Sequence, residues 1–171
     1  MRAVVIGLVG LWSLGLPALA QPQGGRGKPI LYTTCRQGQC VQTQVLSVRL
    51  EQQTPQGRLY RVTVGQRTWM EDKSPPASFQ TRRQEYAYCS RTRPAYIFGN
   101  PGNYTAHLLD PVNGPRAMSH YASYVLYWGV CHGVTDPDTP ALAEKAIQLG
   151  YSPKLPEGQI TLARPQDILK R

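Results

Sequence analysis

Hydrophobic and polar residues alternate with a period of two through much of the middle of the chain. In residues 45–50, Leu46, Val48 and Leu50 share one parity, while Ser47 and Arg49 take the other. Tyr60, Val62 and Val64 likewise alternate with Arg61 and Thr63. Successive side chains of an extended strand point to opposite faces, so both segments are predicted as half-buried strands. Between them Thr54-Pro55-Gln56-Gly57 predicts the turn of a hairpin, Pro55 presetting φ at its second position. Residues 84–90 continue the pattern, with Tyr86 and Tyr88 on one face and Ala87 and Cys89 on the other. Residues 95–98 and 104–109 read as two strand arms around the turn-forming run 99–103 (GNPGN), and residues 30–32 and 159–163 as shorter strands. The prolines of residues 73–78 (KSPPAS) cannot donate to a ladder, which makes that stretch a loop.

Two segments break the alternation. Residues 121–130 (YASYVLYWGV) are apolar on both parities and rich in aromatic and β-branched side chains, which predicts a fully buried central strand. A helix competes, because Tyr121, Tyr124 and Trp128 also fit spacings of three and four. From Asp136 the texture changes. Thr139-Pro140 reads as an N-cap and first-turn proline, residues 141–149 (ALAEKAIQL) as a helix docking through Ala141, Leu142, Lys145, Ala146 and Leu149, and Gly150 as its left-handed stop. Residues 165–171 are expected to form a short helical end. The expected fold class is mainly β: an antiparallel sandwich or partly open barrel of about six to eight strands, with one C-terminal α-helix packed on it. In domain terms, residues 29–135 form the β domain and residues 136–171 a helix and tail on the same domain.

The N-terminus changes the picture of where this domain acts. Arg2 precedes an uncharged apolar run over residues 3–16, Pro17 breaks it, and Ala18-Leu19-Ala20 offers small residues for cleavage. These features predict a signal peptide over residues 1–20, followed by a Gly- and Gln-rich lead-in over residues 21–28. The run is shorter than the roughly 20 apolar residues a membrane span needs. Export to the periplasm or the extracellular space, after cleavage near Ala20, is the expected localisation. Four cysteines agree with an oxidising compartment. Of the three possible pairings, Cys35–Cys40 across a four-residue loop and Cys89–Cys131 between distant segments are favoured. A redox or metal role for them is the alternative, but no C-x-x-C pair is present.

Of the 171 residues, 19 are Lys or Arg and 10 Asp or Glu, a formal net charge of +9. In an exported protein that excess points to envelope or extracellular anions rather than intracellular nucleic acid. The densest basic feature runs from Arg82 to Tyr96, where Arg82, Tyr86, Tyr88, Arg91, Arg93 and Tyr96 are the candidate binding residues: guanidinium groups grip anions and rings stack on sugars. Strand parity divides the charge, with Arg82, Tyr86 and Tyr88 on one face and Arg83, Arg91 and Arg93 on the face of Cys89. An edge strand kept soluble by its arginines would look the same.

Catalytic signals are thinner. His107, His120 and His132 are the candidates for ribonuclease-type acid–base work, which needs one imidazole to take a proton and another to give one. If residues 121–130 are a strand, His120 and His132 lie roughly 40 Å apart, and His107 can join only one of them. Glu71 and Asp72 are adjacent and would point to opposite faces of a strand; Glu85 with Glu71 or Asp110 has only arithmetic in its favour. No metal site or cofactor is expected. The leading expectation is an exported non-catalytic binding protein for an anionic glycan, lipid head group or protein. A secreted ribonuclease-like phosphodiesterase using a histidine pair is the alternative, and a structural subunit of an envelope assembly is the third class.

Overall fold

The computed structural model describes residues 29, 31–115, 118–136 and 141–170, with no side chain for residue 118. The expected signal peptide, the lead-in and the Thr139-Pro140 cap lie outside the described residues. Seven strands follow one another: β1 (Leu31–Arg36), β2 (Gln39–Thr54), β3 (Gly57–Met70), β4 (Thr81–Ser90), β5 (Ala95–Asn100), β6 (Asn103–Leu108) and β7 (Gly158–Leu162). They form one open antiparallel sheet in the order β1-β2-β3-β4-β5-β6-β7. The fold is therefore mainly β, as the alternation implies, and its strand count falls inside the expected range. Both disulfides form as favoured, Cys35–Cys40 closing the β1–β2 turn and Cys89–Cys131 linking segments 42 residues apart.

Residues 121–130 depart from the expectation. They lie in a helix, α1 (Tyr121–His132), not in a central strand, and a second helix, α2 (Ala141–Gln148), follows it. The reason is burial on every side. Ser123 through Val130 are all buried, eight of the twelve residues of α1, so neither period leaves a polar stripe to read. The buried residues of α1 share one core cluster with Tyr60, Val62, Val64, Ala87 and Tyr96 of the sheet and with Leu109, Leu142, Ala146 and Tyr151. The helix stops where Gly133 adopts φ 68°, its N–H and that of Val134 closing the carbonyls of Gly129 and Trp128. In α2 the docking residues are Leu142, Ala146 and, partly, Leu149, whereas Ala141 and Lys145 are exposed.

A second departure lies in β2. Its register against β3 slips between Val45 and Ser47 and again between Leu50 and Gln52. A bulge puts one extra residue on one strand and reverses parity beyond it. Val45 and Val48, three apart, consequently both pack against the helix-side core; Leu50, opposite Tyr60, keeps the face of Val48 as expected but is 47% exposed, and Leu46 is the residue that leaves that face.

The sheet thus has two unlike faces. The helix face carries the cluster under α1 and α2. The opposite face carries Leu59, Tyr86, Tyr88, Ala95, Ile97, Ala106 and Leu162, covered by Ile168 and Leu169 of the 3₁₀ segment Pro165–Lys170.

The Cys89–Cys131 bridge closes a loop of 42 residues, for which chain entropy gives a stabilisation of about 4 kcal/mol, against about 2 kcal/mol for the short Cys35–Cys40 loop. Urea denaturation of the Cys89→Ala/Cys131→Ala and Cys35→Ala/Cys40→Ala variants is expected to show the larger loss in the first. Equal losses would mean that strain or residual structure, not loop length, sets the contribution of each bridge.

Candidate functional site

The register of β4 fixes where the arginine–tyrosine run goes. Arg82, Tyr86 and Tyr88 pair with Gly65, Arg61 and Leu59 on the opposite face, and Arg83, Glu85, Ala87 and Cys89 with Val64, Val62, Tyr60 and Arg58 on the helix face. The charge is split between two faces, as parity implies. The tyrosines, however, are core residues: Tyr86 is 8%, Tyr88 2% and Tyr96 1% exposed. Their rings pack in the interior and do not form a stacking platform. The Tyr96 hydroxyl donates to Glu85 Oε2 at 2.7 Å, and Glu85, itself buried, also receives Arg83. Burial pushes the Tyr96 phenol well above its ordinary pKa, and the Glu85 carboxylate adds to this. Arg93 is half-buried beside the β4–β5 turn, while Arg91 is exposed.

The helical state of α1 changes the histidine geometry. A twelve-residue helix is about 18 Å long, not the 40 Å of an extended strand. His120 lies immediately before its first turn and His132 ends it. His107 of β6 meets His120, with ring centroids 4.0 Å apart. His107 Nδ1 lies 2.9 Å from Ser123 Oγ on the first turn of α1, and His120 Nδ1 lies 2.9 Å from Glu157 Oε1 just ahead of β7. Ser123 and Glu157 were not legible as partners; the only sequence cue is that Ser123 follows His120 by three, one helical turn. All but Glu157 are among the buried polar residues: His107 at 6%, His120 at 8% and Ser123 at 5% exposure. Burial lowers the His107 pKa to about 4, the neighbouring His120 reinforcing this while the Gln159 side chain and Glu157 oppose it.

His132 belongs to a different site. It faces a cavity of about 150 Å³ between β3, β4 and the C-terminal ends of α1 and α2. The Cys89–Cys131 bridge and Tyr60 line it, with Arg58, Arg91, His132 and Tyr151 as its polar groups and Leu149 beside them. No acidic residue is among the lining residues. His132 Nε2 is 2.6 Å from the Tyr151 hydroxyl, which in turn lies 2.7 Å from the Tyr127 hydroxyl. Burial lowers the His132 pKa to about 4, with Lys145 and then Arg91 adding cationic repulsion. Burial likewise raises Tyr151 to about 12. Arg58 Nε is buried and has no hydrogen-bond partner among the described residues. Of the expected binding residues the cavity takes Arg91 alone. Arg58 was missed, although its place opposite Cys89 follows from the β3–β4 hairpin register.

The remaining acids serve structure. Asp110 is 1% exposed and accepts from the backbone N–H groups of Val112 and Asn113, while Glu71 and Asp72 are exposed in the loop after β3. Among the described residues no group of three His, Cys, Asp or Glu is arranged to hold a metal ion, and no helix is long and apolar enough to cross a membrane.

The buried imidazoles make stability depend on pH with a definite sign. His107 and His132 have folded pKa values below the unfolded 6.5, so their neutral forms are favoured by folding. Their contribution is complete above about pH 6.5 and is lost as the pH falls towards 4. The urea midpoint of the protein is expected to fall through this window, and less steeply in His107→Asn. A flat profile from pH 7 to 4 would exclude buried neutral histidines. Comparison of the chain with protein-family models, with curated proteins and with solved structures finds no match to any of them.

Proposed function

We propose that the chain is an exported, non-catalytic binding protein whose ligand presents a carboxylate, phosphate or sulfate group to the cavity formed by Arg58, Arg91, His132 and Tyr151. One observation carries this reading: two guanidinium groups, Arg58 and Arg91, line one cavity, and no acid is among its lining residues. A guanidinium with no carboxylate beside it gains charge-assisted hydrogen bonds from an anion that arrives there. Arginine supplies paired donors in the geometry of a carboxylate or phosphate. The apolar side of the cavity, from Tyr60, Leu149 and the disulfide, would hold the part of the ligand that carries the anionic group. The two disulfides support an oxidising compartment, and the signal-like N-terminal sequence supports export.

The hydrolase reading draws on the proximity of Ser123 Oγ to His107 Nδ1 and of His107 to His120. Two imidazoles that act on one phosphodiester must flank it. Rings stacked at 4.0 Å leave no room for a phosphate between them, and burial keeps substrate from Ser123. These groups support a structural network better than a reaction.

Thermal denaturation with sodium sulfate, phosphate and glucuronate, each against sodium chloride at matched ionic strength, tests the binding reading. At least one of these anions is expected to stabilise the protein, by about 2.7 kcal/mol when present at 100 times its Kd. Arg58→Gln and Arg91→Gln should each weaken that binding roughly tenfold or more while leaving the unliganded melting temperature near the original. Stabilisation that follows ionic strength alone, or that survives both substitutions, would remove the cavity from consideration.

A further inference from the structure

We infer that the polar half of the sheet's opposite face, bordered by the β3–β4 loop, is a docking surface for an extended anionic polysaccharide. This face is divided. Over β4–β7 it is apolar and closed by the 3₁₀ segment Pro165–Lys170. That cover reaches Leu59 of β3 and Tyr86 and Tyr88 of β4; beyond them, over β2 and the remainder of β3 and β4, the cross-strand rows are polar: Ser47-Thr63-Gln84, and Arg49-Arg61 leading to Tyr86. Four cations stand there. Arg49 and Arg61 are directly opposite each other, Arg82 is opposite Gly65, and Arg67 lies two positions beyond Gly65 on the same strand face. Glu51 is the acid that meets them, paired with Arg61 at 2.6 Å.

That arrangement works against folding. Like charges directly opposite on neighbouring strands destabilise a sheet, and a single carboxylate leaves the four-arginine face with a net excess of three. A solubilising face needs no such pairing, because mixed signs or neutral side chains would serve. Arg49 and Arg82 have no hydrogen-bond or ion-pair partner among the described residues, and both are exposed. Arg67 is held ready: its Nε donates to Gln42 Oε1 at 2.7 Å, its Nη1 donates to the Pro76 carbonyl at 2.8 Å, and it lies 5.5 Å above the Phe79 ring. Phe79 in turn occupies the space over Gly65, where an added Cβ would sit 2.6 Å from the ring.

Along β3, Arg61 and Arg67 are six residues apart, about 20 Å, so the cations are spread for a polymer rather than gathered around one small anion. Between them lie the neutral polar Thr63 and Gln84, Gln84 Nε2 donating to Thr63 Oγ1 at 3.1 Å, which leaves the Gln84 carbonyl oxygen for a sugar hydroxyl. Nucleic acid fits less well, because single strands are gripped by rings on which bases stack, and Tyr86 and Tyr88 of this face are buried. The surface lies across the sheet from the Arg58–Arg91 cavity, and the inference stands without that site.

Titration calorimetry at several salt concentrations, with heparin, polygalacturonate and oligothymidylate as probes, provides the test. The wild-type protein should bind at least one polysaccharide more tightly than oligothymidylate. The Arg49→Gln/Arg82→Gln variant should bind it roughly tenfold more weakly, with the salt slope reduced by about 2 and the melting temperature preserved. The Arg58→Gln/Arg91→Gln variant should keep full polysaccharide affinity. The inference fails if neither polysaccharide binds, if oligothymidylate binds best, or if the first double substitution leaves affinity and slope unchanged. Loss of polysaccharide binding in the second variant alone would also overturn it, by moving the site to the cavity.

Discussion

The bond between Cys89 and Cys131 joins the end of β4 to the last turn of α1, and the whole helix face is arranged from that joint. It holds the C-terminal end of the helix against the strand whose alternate residues, Ala87 and Cys89, form part of the core beneath it. Trp128, fully buried one turn before Cys131, has ring contacts with Tyr124, His132 and Tyr151 and so carries the constraint from the bridge into the interior. The cavity is a product of the same joint. A disulfide fixes the backbone separation of strand and helix, and the side chains around it, Arg58 and Arg91 from the sheet side, His132 and Tyr151 from the helical side, surround the space that results.

The other end of α1 is held by polar chemistry. Ser123 on its first turn meets His107 of β6, and His120 just ahead of it meets Glu157 before β7. Such a buried network is favourable only when its members are mutually satisfied, because the low local dielectric strengthens each bond and raises the cost of any that is missing. It ties β6, α1 and the β7 approach together where no covalent link is available. The helix is thus fixed at both ends by different means, one indifferent to pH and one dependent on it.

How far these features can be read from the chain follows the same physics. A period of two identifies a strand whose faces differ, and the middle of β3 satisfies that condition: Tyr60, Val62 and Val64 are buried under helices while Arg61 and Thr63 are not. The short Cys35–Cys40 loop and the Gly150 helix stop, at φ 88°, are local and were equally legible. Where both sides are buried the signal vanishes, and α1 is read as a strand because Ser123 through Val130 show no polar stripe. In β2 the bulge at Leu46 shifts parity through hydrogen bonding with β3, which no single-strand pattern contains. Of the cavity, Arg91, His132 and the Cys89–Cys131 bridge were singled out in the sequence, but for separate roles; bringing them together with Tyr151 requires α1 and α2 to be packed, a tertiary fact. Tyrosines are the hardest case, since Tyr86, Tyr88 and Tyr96 have the residue type of a binding surface and the burial of a core.

One strand therefore sends arginines to two places with opposite consequences. Arg83, on the helix face, is matched at once by the buried Glu85, which also receives Tyr96, so its charge is spent within the fold. Arg82, its neighbour in sequence, emerges on the other face beside Arg67, with Arg49 and Arg61 facing each other nearby and Glu51 as their balance. Excess charge that a fold neutralises says nothing about partners. Excess charge that a fold leaves unmatched stays at its surface, at a cost to its own sheet. The net charge of the whole chain cannot separate these two cases. The register of β4 against β3 does, because it decides residue by residue which guanidinium meets a carboxylate and which meets solvent.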